Sequence, residues 1–82
     1  MAFPRIVKPQ SARRDELLDA ARDLFAEHGY DATSVSGIID RVGVSKGAFY
    51  HHFESKEDLL FSIVTEVHER VDALLKRFPI YQ

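Results

Sequence analysis

The sequence predicts an all-α fold, a bundle of three helices followed by a long fourth helix. Apolar residues recur at i, i+3, i+4 spacing in separate stretches of the 82-residue chain, which is the pattern of helices with one buried face. Hydroxyl residues precede each stretch, as expected at helix N-termini. The chain has no cysteine, so disulfides and thiolate metal sites are excluded. A core of this size then needs either very good helix packing or a further part of the protein that this sequence lacks.

The first helix is expected from about Ser11 or Ala12 to His28. Ser11 is a suitable N-cap, and Gly29 is a suitable C-cap because glycine readily adopts positive φ. The preceding residues 1–10 contain two prolines and no periodicity, which is typical of a flexible arm. The apolar face of this helix comprises Leu17, Leu18, Ala21, Leu24 and Phe25.

The second helix is short and is expected to begin at Thr33 or Ser34. Gly43 ends it after about two turns, and Gly37 weakens it by about 1 kcal/mol relative to alanine. A helix of this length is not stable alone, so its neighbours must hold it. Its apolar face comprises Val35, Ile38, Ile39 and Val42.

The third helix is expected to be capped by Ser45 and to reach roughly His52. Phe49 and Phe53 are four residues apart and therefore share a face that points inward. The outer face is then left to Lys46, Gly47, Tyr50 and His51.

The fourth helix opens with residues 55–58, SKED, a capping box with Asp in place of Glu or Gln. Pro79 ends it, and about 23 residues at 1.5 Å each give a length of roughly 35 Å. Its apolar positions are Leu60, Ile63, Val64, Val67, Val71, Leu74, Leu75 and Phe78.

Three short helices cover only the first turns of such a helix, so the stripe from Val67 to Phe78 lacks a partner. Soluble proteins rarely leave such a stripe bare. We expect it to pack on a second domain absent from this sequence or on another copy of the chain; the alternative is that the helix frays after about Val71. The expected organisation is an arm at 1–10, a helix-turn-helix unit at 11–54, and at 55–82 a connecting helix with the start of a further domain.

The net charge of −2 argues weakly against nucleic-acid binding, but the charges are unevenly distributed. Residues 1–14 carry four cations and no acid, and residues 41–56 carry three cations, two histidines and one acid. The remaining acids concentrate elsewhere. This distribution permits a local DNA-facing patch without requiring one.

Two short helices joined by a tight glycine turn form a helix-turn-helix pattern between Val35 and Phe53. In this motif the N-terminal residues of the second helix lie at base edges in the major groove. Lys46 places a cation at that end, and the small residues Gly47 and Ala48 allow a close approach of the backbone.

Phosphate contacts are also available around this helix. The hydroxyl of Ser45 can donate to a phosphate, and the polar ends of Tyr50 and His51 can reach one. Lys56 combines a cation with the free N–H groups at the start of the fourth helix. Read from the residues alone, Lys46 and Lys56 are equally compatible with ordinary solvated lysines.

The chain resembles the DNA-binding domain of the tetracycline-repressor (TetR) family over about residues 13–64. The resemblance lies in TSVSGIIDRVGVSKGAFYHHFESKEDLL (33–60), in LLDAARDLF (17–25) and in HGY (28–30). It is most specific in the block 43–50, at Phe53 and at residues 55–56. Two positions depart from the pattern: Ile39 stands where the family most often has alanine, and Gly37 loosens the second helix.

The chain has neither the apolar h-region of a signal peptide nor an apolar run of about 20 residues, so we expect a cytoplasmic protein. We also expect no cofactor, no metal and no catalytic site. The resemblance implies a homodimeric repressor of about twice this length or more. Its partner would be double-stranded operator DNA. A C-terminal helical domain, in residues beyond Gln82, would form the dimer and bind a small-molecule inducer. By analogy, phosphates would be contacted by Thr33, Ser45, Tyr50 and Lys56, and bases would be faced by Lys46, Gly47, Ala48 and His51.

Other functions are weaker interpretations of the sequence. A helical protein-interaction module would use the stripe from Val67 to Phe78 as its binding face. A metal site at His51 and His52 is disfavoured because adjacent helical residues point about 100° apart. An enzyme is the least favoured, because no nucleophile with a base partner and no phosphate-binding loop is present.

Overall fold

The computed structural model describes residues 10–77, which form four α-helices in the order α1 (Gln10–His28), α2 (Val35–Val42), α3 (Lys46–His52) and α4 (Lys56–Leu75). The predicted all-α class is confirmed, and no strand occurs in this described part of the chain. The predicted arm, apart from Gln10, and the end of the stripe at 78–82 lie outside the described residues. α1 begins at Gln10, slightly before its predicted start, and α4 ends at Leu75.

Serine side chains begin three of the helices. Ser34, and not Thr33, is the N-cap of α2 and accepts a hydrogen bond from the Gly37 N–H at 3.0 Å. Ser45 accepts from the Ala48 N–H at 3.1 Å, and Ser55 accepts from the Asp58 N–H at 3.0 Å. Each serine oxygen satisfies one of the N–H groups that a helix leaves unpaired. At α4 the Asp58 carboxylate also accepts from the Glu54 N–H at 3.0 Å, one residue before the position that a standard capping box uses.

A left-handed glycine makes the turn between α2 and α3. Gly43 has φ 81° and ψ 35°, and its N–H donates to the Ile39 carbonyl at 2.8 Å. The Val44 N–H donates to the same carbonyl at 3.3 Å. Only glycine adopts this backbone conformation without steric penalty, so the angle between the two short helices depends on this residue.

The core lies where α1 meets the other three helices. Phe49 of α3 and Phe53, the C-cap residue that follows it, are buried as predicted, and their rings pack with centroids 5.8 Å apart. Leu59 closes the core from α4 and is fully buried, although the predicted apolar face of that helix began at Leu60. The other buried apolar residues are Leu17, Leu18, Ala20, Ala21, Leu24 and Ile38.

Much of α4 extends beyond the core, and its apolar side is exposed to solvent there. We call this surface the α4 stripe; it consists of Val64, Val67, Val71 and Leu74. These side chains are between 48% and 58% exposed, as the sequence predicted for the part from Val67 onward. The helix remains regular to Leu75, which contradicts the alternative of fraying after Val71.

The conformation of Gly43 gives a first test of the fold. Gly43→Ala is expected to lower the free energy of unfolding by about 1–2 kcal/mol, because an L-residue is strained in the left-handed region. Gly47→Ala is the matched control: Gly47 lies within α3, and an added Cβ would come no nearer than 3.9 Å to the Ser45 Oγ. It is expected to raise stability by about 0.5–1 kcal/mol, since alanine favours helix. Urea denaturation measures both changes, and a loss of stability for both variants would contradict this account of the turn.

Candidate nucleic-acid interface

The outer side of α3 forms an exposed polar face, which we call the α3 face: Lys46, Gly47, Tyr50 and His51. These residues are neighbours on the helix because they are related by i, i+3 and i+4 spacing. Phe49 anchors the opposite side of the helix in the core. The buried side therefore fixes which residues α3 presents to solvent.

Residues at the edges of the α3 face also take part in helix capping or in packing against the core. Ser45 is exposed, but its hydroxyl oxygen already accepts the Ala48 N–H as the helix cap; its hydroxyl proton is separate from that bond and can be donated. Ala48 is partly buried and so borders the face. Tyr50 is 46% exposed, and its ring stands edge-on to the Phe49 ring with centroids 5.1 Å apart. The Tyr50 ring therefore packs against Phe49 on one side and is open to solvent on the other.

Lys56 lies at the first position of α4 and is held by the loop after α1. Its ammonium nitrogen donates to the Tyr30 carbonyl at 2.8 Å and lies 4.1 Å from the centroid of the Tyr30 ring. A lysine ammonium has three donors, so two remain for other acceptors. The side chain is partly buried, which restricts its motion.

Thr33, which was expected from the sequence to contact a phosphate, is buried in the structure. It is only 5% exposed, and its Oγ1 lies 2.9 Å from the Gly29 carbonyl oxygen and 3.2 Å from that of Leu24. A hydroxyl has one proton to donate, and here it points to the end of α1. The geometry therefore gives Thr33 the role of tying the α1–α2 loop to the core.

The electrostatic character of the α3 region is mildly positive. Residues 41–53 contain no acid, and the neighbouring rings of His51 and His52 meet edge-on with centroids 5.0 Å apart. Partial burial lowers the pKa of His52, and the charges of His51, Arg14 and Arg13 lower it further. His52 therefore favours its neutral form and adds little positive charge to this region.

A long-range ion pair sets α4 against the start of α1. The Arg14 guanidinium lies 3.1 Å from Glu66 Oε2 and 5.3 Å above the Phe53 ring. The contact with Phe53 ties the same arginine to the residue that ends α3. These contacts join the middle of α4 to the start of α1 and to the end of the helix-turn-helix unit.

The structure adds Tyr30 and Glu57 to the residues expected from sequence. The Tyr30 hydroxyl donates to Glu57 Oε1 at 3.1 Å, beside the Lys56 contact described above. These residues are 27 positions apart, a separation that carries no periodic signal. Among the described residues, no helix has the length and apolarity needed to cross a membrane, and no group of three or more His, Cys, Asp or Glu side chains is placed to hold a metal ion.

Comparison with known proteins assigns a family to this arrangement. The sequence model described as "Bacterial regulatory proteins, tetR family" matches residues 17–63. The HTH-type transcriptional repressor Rv1474c of Mycobacterium tuberculosis is 43% identical over 67 residues, covering 82% of this chain and 36% of that protein. The HTH-type transcriptional repressor KstR2 of Rhodococcus jostii is 51% identical over 55 residues, covering 67% of this chain and 27% of that protein.

Solved structures agree with the sequence matches. A transcriptional regulator from Aquifex aeolicus VF5 superposes with a TM-score of 0.77 at 41% identity, over 78% of this chain and 37% of that one. A TetR-family transcriptional regulator from Pectobacterium atrosepticum gives a TM-score of 0.71 at 33% identity, over 89% of this chain and 38% of that one. This chain thus spans about a third of the length of these relatives. It belongs to the TetR family of bacterial regulatory proteins.

Proposed function

We propose that this chain is the sequence-specific DNA-binding part of a transcriptional repressor and has no enzymatic role. The observation that carries the proposal is the α3 face, a solvent-exposed set of small, cationic and hydrogen-bonding side chains on a helix anchored from behind by Phe49. A recognition helix needs such a rigid, protruding face to reach base edges in the major groove.

Each residue of the face has a distinct part in the proposed complex. Lys46 donates to base edges at the leading end of α3, and His51 lies one turn beyond Gly47 on the exposed face. Gly47, together with Ala48 at the border, lets the helix backbone approach the groove. These are the contacts that carry sequence preference.

Phosphate contacts flank the base contacts in this proposal. Ser45 and Tyr50 donate hydroxyl protons, and Lys56 supplies a cation from the N-terminus of α4. Thr33 supports these contacts from inside the fold, because its hydroxyl proton is directed to the end of α1. Such contacts set the position of the protein on the duplex without reading sequence.

The α4 stripe supports a second part of the proposal, that the head acts within a larger cytoplasmic homodimer. We infer that residues beyond Gln82 cover this stripe, form the dimer and hold a small-molecule inducer that releases the DNA. A two-fold dimer would bind two half-sites about 34–36 Å apart. An independent protein-interaction module is the competing function for the same stripe; it predicts that Val71→Asp abolishes partner binding while Lys46→Ala does not.

Binding to duplex DNA at rising salt tests the proposal. The chain is used to select sequences from a randomised duplex pool, and the dissociation constant of a selected duplex is measured by fluorescence anisotropy. One lysine–phosphate contact per head, that of Lys56, predicts that log K falls with log salt with a slope of about −1. A scrambled duplex of equal length and composition is the control. Equal affinity for both duplexes, or no binding at low salt, would contradict the proposal.

A further inference from the structure

Lys56 is held in a fixed place by a residue that lies 26 positions earlier in the chain. Two contacts act on the same ammonium group: the hydrogen bond to the Tyr30 carbonyl at 2.8 Å and the approach to the Tyr30 ring at 4.1 Å. The second distance is well within the range of a cation–π attraction. Tyr30 therefore acts on Lys56 through its backbone and its side chain together.

The Tyr30 ring is itself held in place by its surroundings. Its hydroxyl donates to Glu57 Oε1 at 3.1 Å, and its ring lies 5.1 Å from that of Phe25. Desolvation by neighbouring groups raises the pKa of Tyr30, and the hydrogen bond to the Glu57 carboxylate raises it further, so the hydroxyl stays neutral and able to donate. Gly29, with φ 86°, ends α1 and turns the chain so that Tyr30 faces the start of α4.

Restricting Lys56 has a consequence for phosphate binding. A free lysine has a flexible four-carbon stem, and immobilising it on binding costs entropy. Here the stem is partly buried and the ammonium already has one fixed acceptor, while two of its three donors stay available. The ammonium is thus organised before a phosphate arrives.

We propose that Tyr30 is a positioning residue for DNA binding, which holds the Lys56 ammonium where it contacts a backbone phosphate. The inference rests on the proposed function and deepens it, because Tyr30 itself makes no contact with DNA. Its contribution passes through Lys56, and this dependence is what an experiment can isolate.

A double-mutant cycle on the full chain tests the inference, with a selected half-site duplex as the probe. Tyr30→Leu removes the ring and frees the Lys56 side chain, and it is expected to weaken duplex binding about two- to tenfold, the fold-change that corresponds to immobilising one flexible side chain on binding. Tyr30→Phe keeps the ring and the carbonyl and should bind within about twofold of the parent. In a Lys56→Gln background, Tyr30→Leu should cause no further loss.

A fluorinated series at position 30 provides a second measurement that does not depend on Tyr30→Leu folding. Successive fluorination of a phenylalanine ring keeps its shape and weakens its negative face, so affinity should fall with each fluorine while the helix content measured by circular dichroism stays constant. The inference is overturned if the series is flat, or if Tyr30→Leu weakens binding equally with and without Lys56. Loss of all selective duplex binding by the parent would instead overturn the proposed function, and the positioning role with it.

Discussion

Phe49→Ala is expected to remove about 3–5 kcal/mol from the free energy of unfolding, the usual effect of deleting a buried aromatic ring. Phe49 is fully buried and contacts the rings of Phe53 and Tyr50. A small helical domain has a total stability of only about 5–15 kcal/mol, so this loss would leave a large unfolded fraction. Far-UV circular dichroism during urea denaturation measures the change.

Tyr50→Ala is the control for the core substitution, because it removes the neighbouring aromatic ring from an exposed position. Its effect on stability should stay below about 1 kcal/mol, although it should weaken DNA binding. A small effect of Phe49→Ala, comparable with that of Tyr50→Ala, would show that α3 is not anchored through Phe49. The proposed orientation of the α3 face would then lose its support.

Lys46→Ala is expected to weaken binding to a selected duplex by about 1–3 kcal/mol, or about 5- to 150-fold, if Lys46 donates to base edges. The sequence preference should relax at one base pair, because a base contact and not only a charge has been lost. Anisotropy titrations against the selected duplex and its single-base variants measure both effects.

Lys76→Ala is the matched control for this substitution, since it changes the net charge equally. Lys76 lies at the opposite end of α4 from Lys56 and is paired with Asp72 at 3.1 Å. Its replacement should leave duplex affinity within about twofold, because charges far beyond the Debye length of about 10 Å are largely screened. Equal losses for the two variants would mean that net charge, and not the α3 face, governs binding.

The features predicted best from sequence are those that depend on residues within one helical turn. Ser45, Ser55 and Gly43 occupy the cap and turn positions that their residue types indicated. Phe49 is buried as its spacing from Phe53 predicted. Caps and amphipathic faces are local properties, so three or four neighbouring residues suffice to predict them.

The features predicted less well depend on contacts between helices. The apolar pattern of α4 did not separate Leu59, which is fully buried, from the exposed positions that follow. Both kinds of residue repeat with the helical period, and only the neighbouring helices determine which part of the apolar surface is covered. The inward hydroxyl of Thr33 was missed for the same reason, since its acceptors belong to the end of α1.

The sequence by itself determined four helices, the tight turn at Gly43 and the side of α3 that faces solvent, because helix caps, periodicity and glycine conformation act over a few residues. The tertiary structure alone decided that Lys56 rests on Tyr30, and that Arg14 meets Glu66 from 52 residues away. Those pairs form because packing around the buried aromatic rings brings distant segments together. No local sequence pattern predicts which of these distant residues meet, although the proposed phosphate contact of Lys56 depends on its contact with Tyr30.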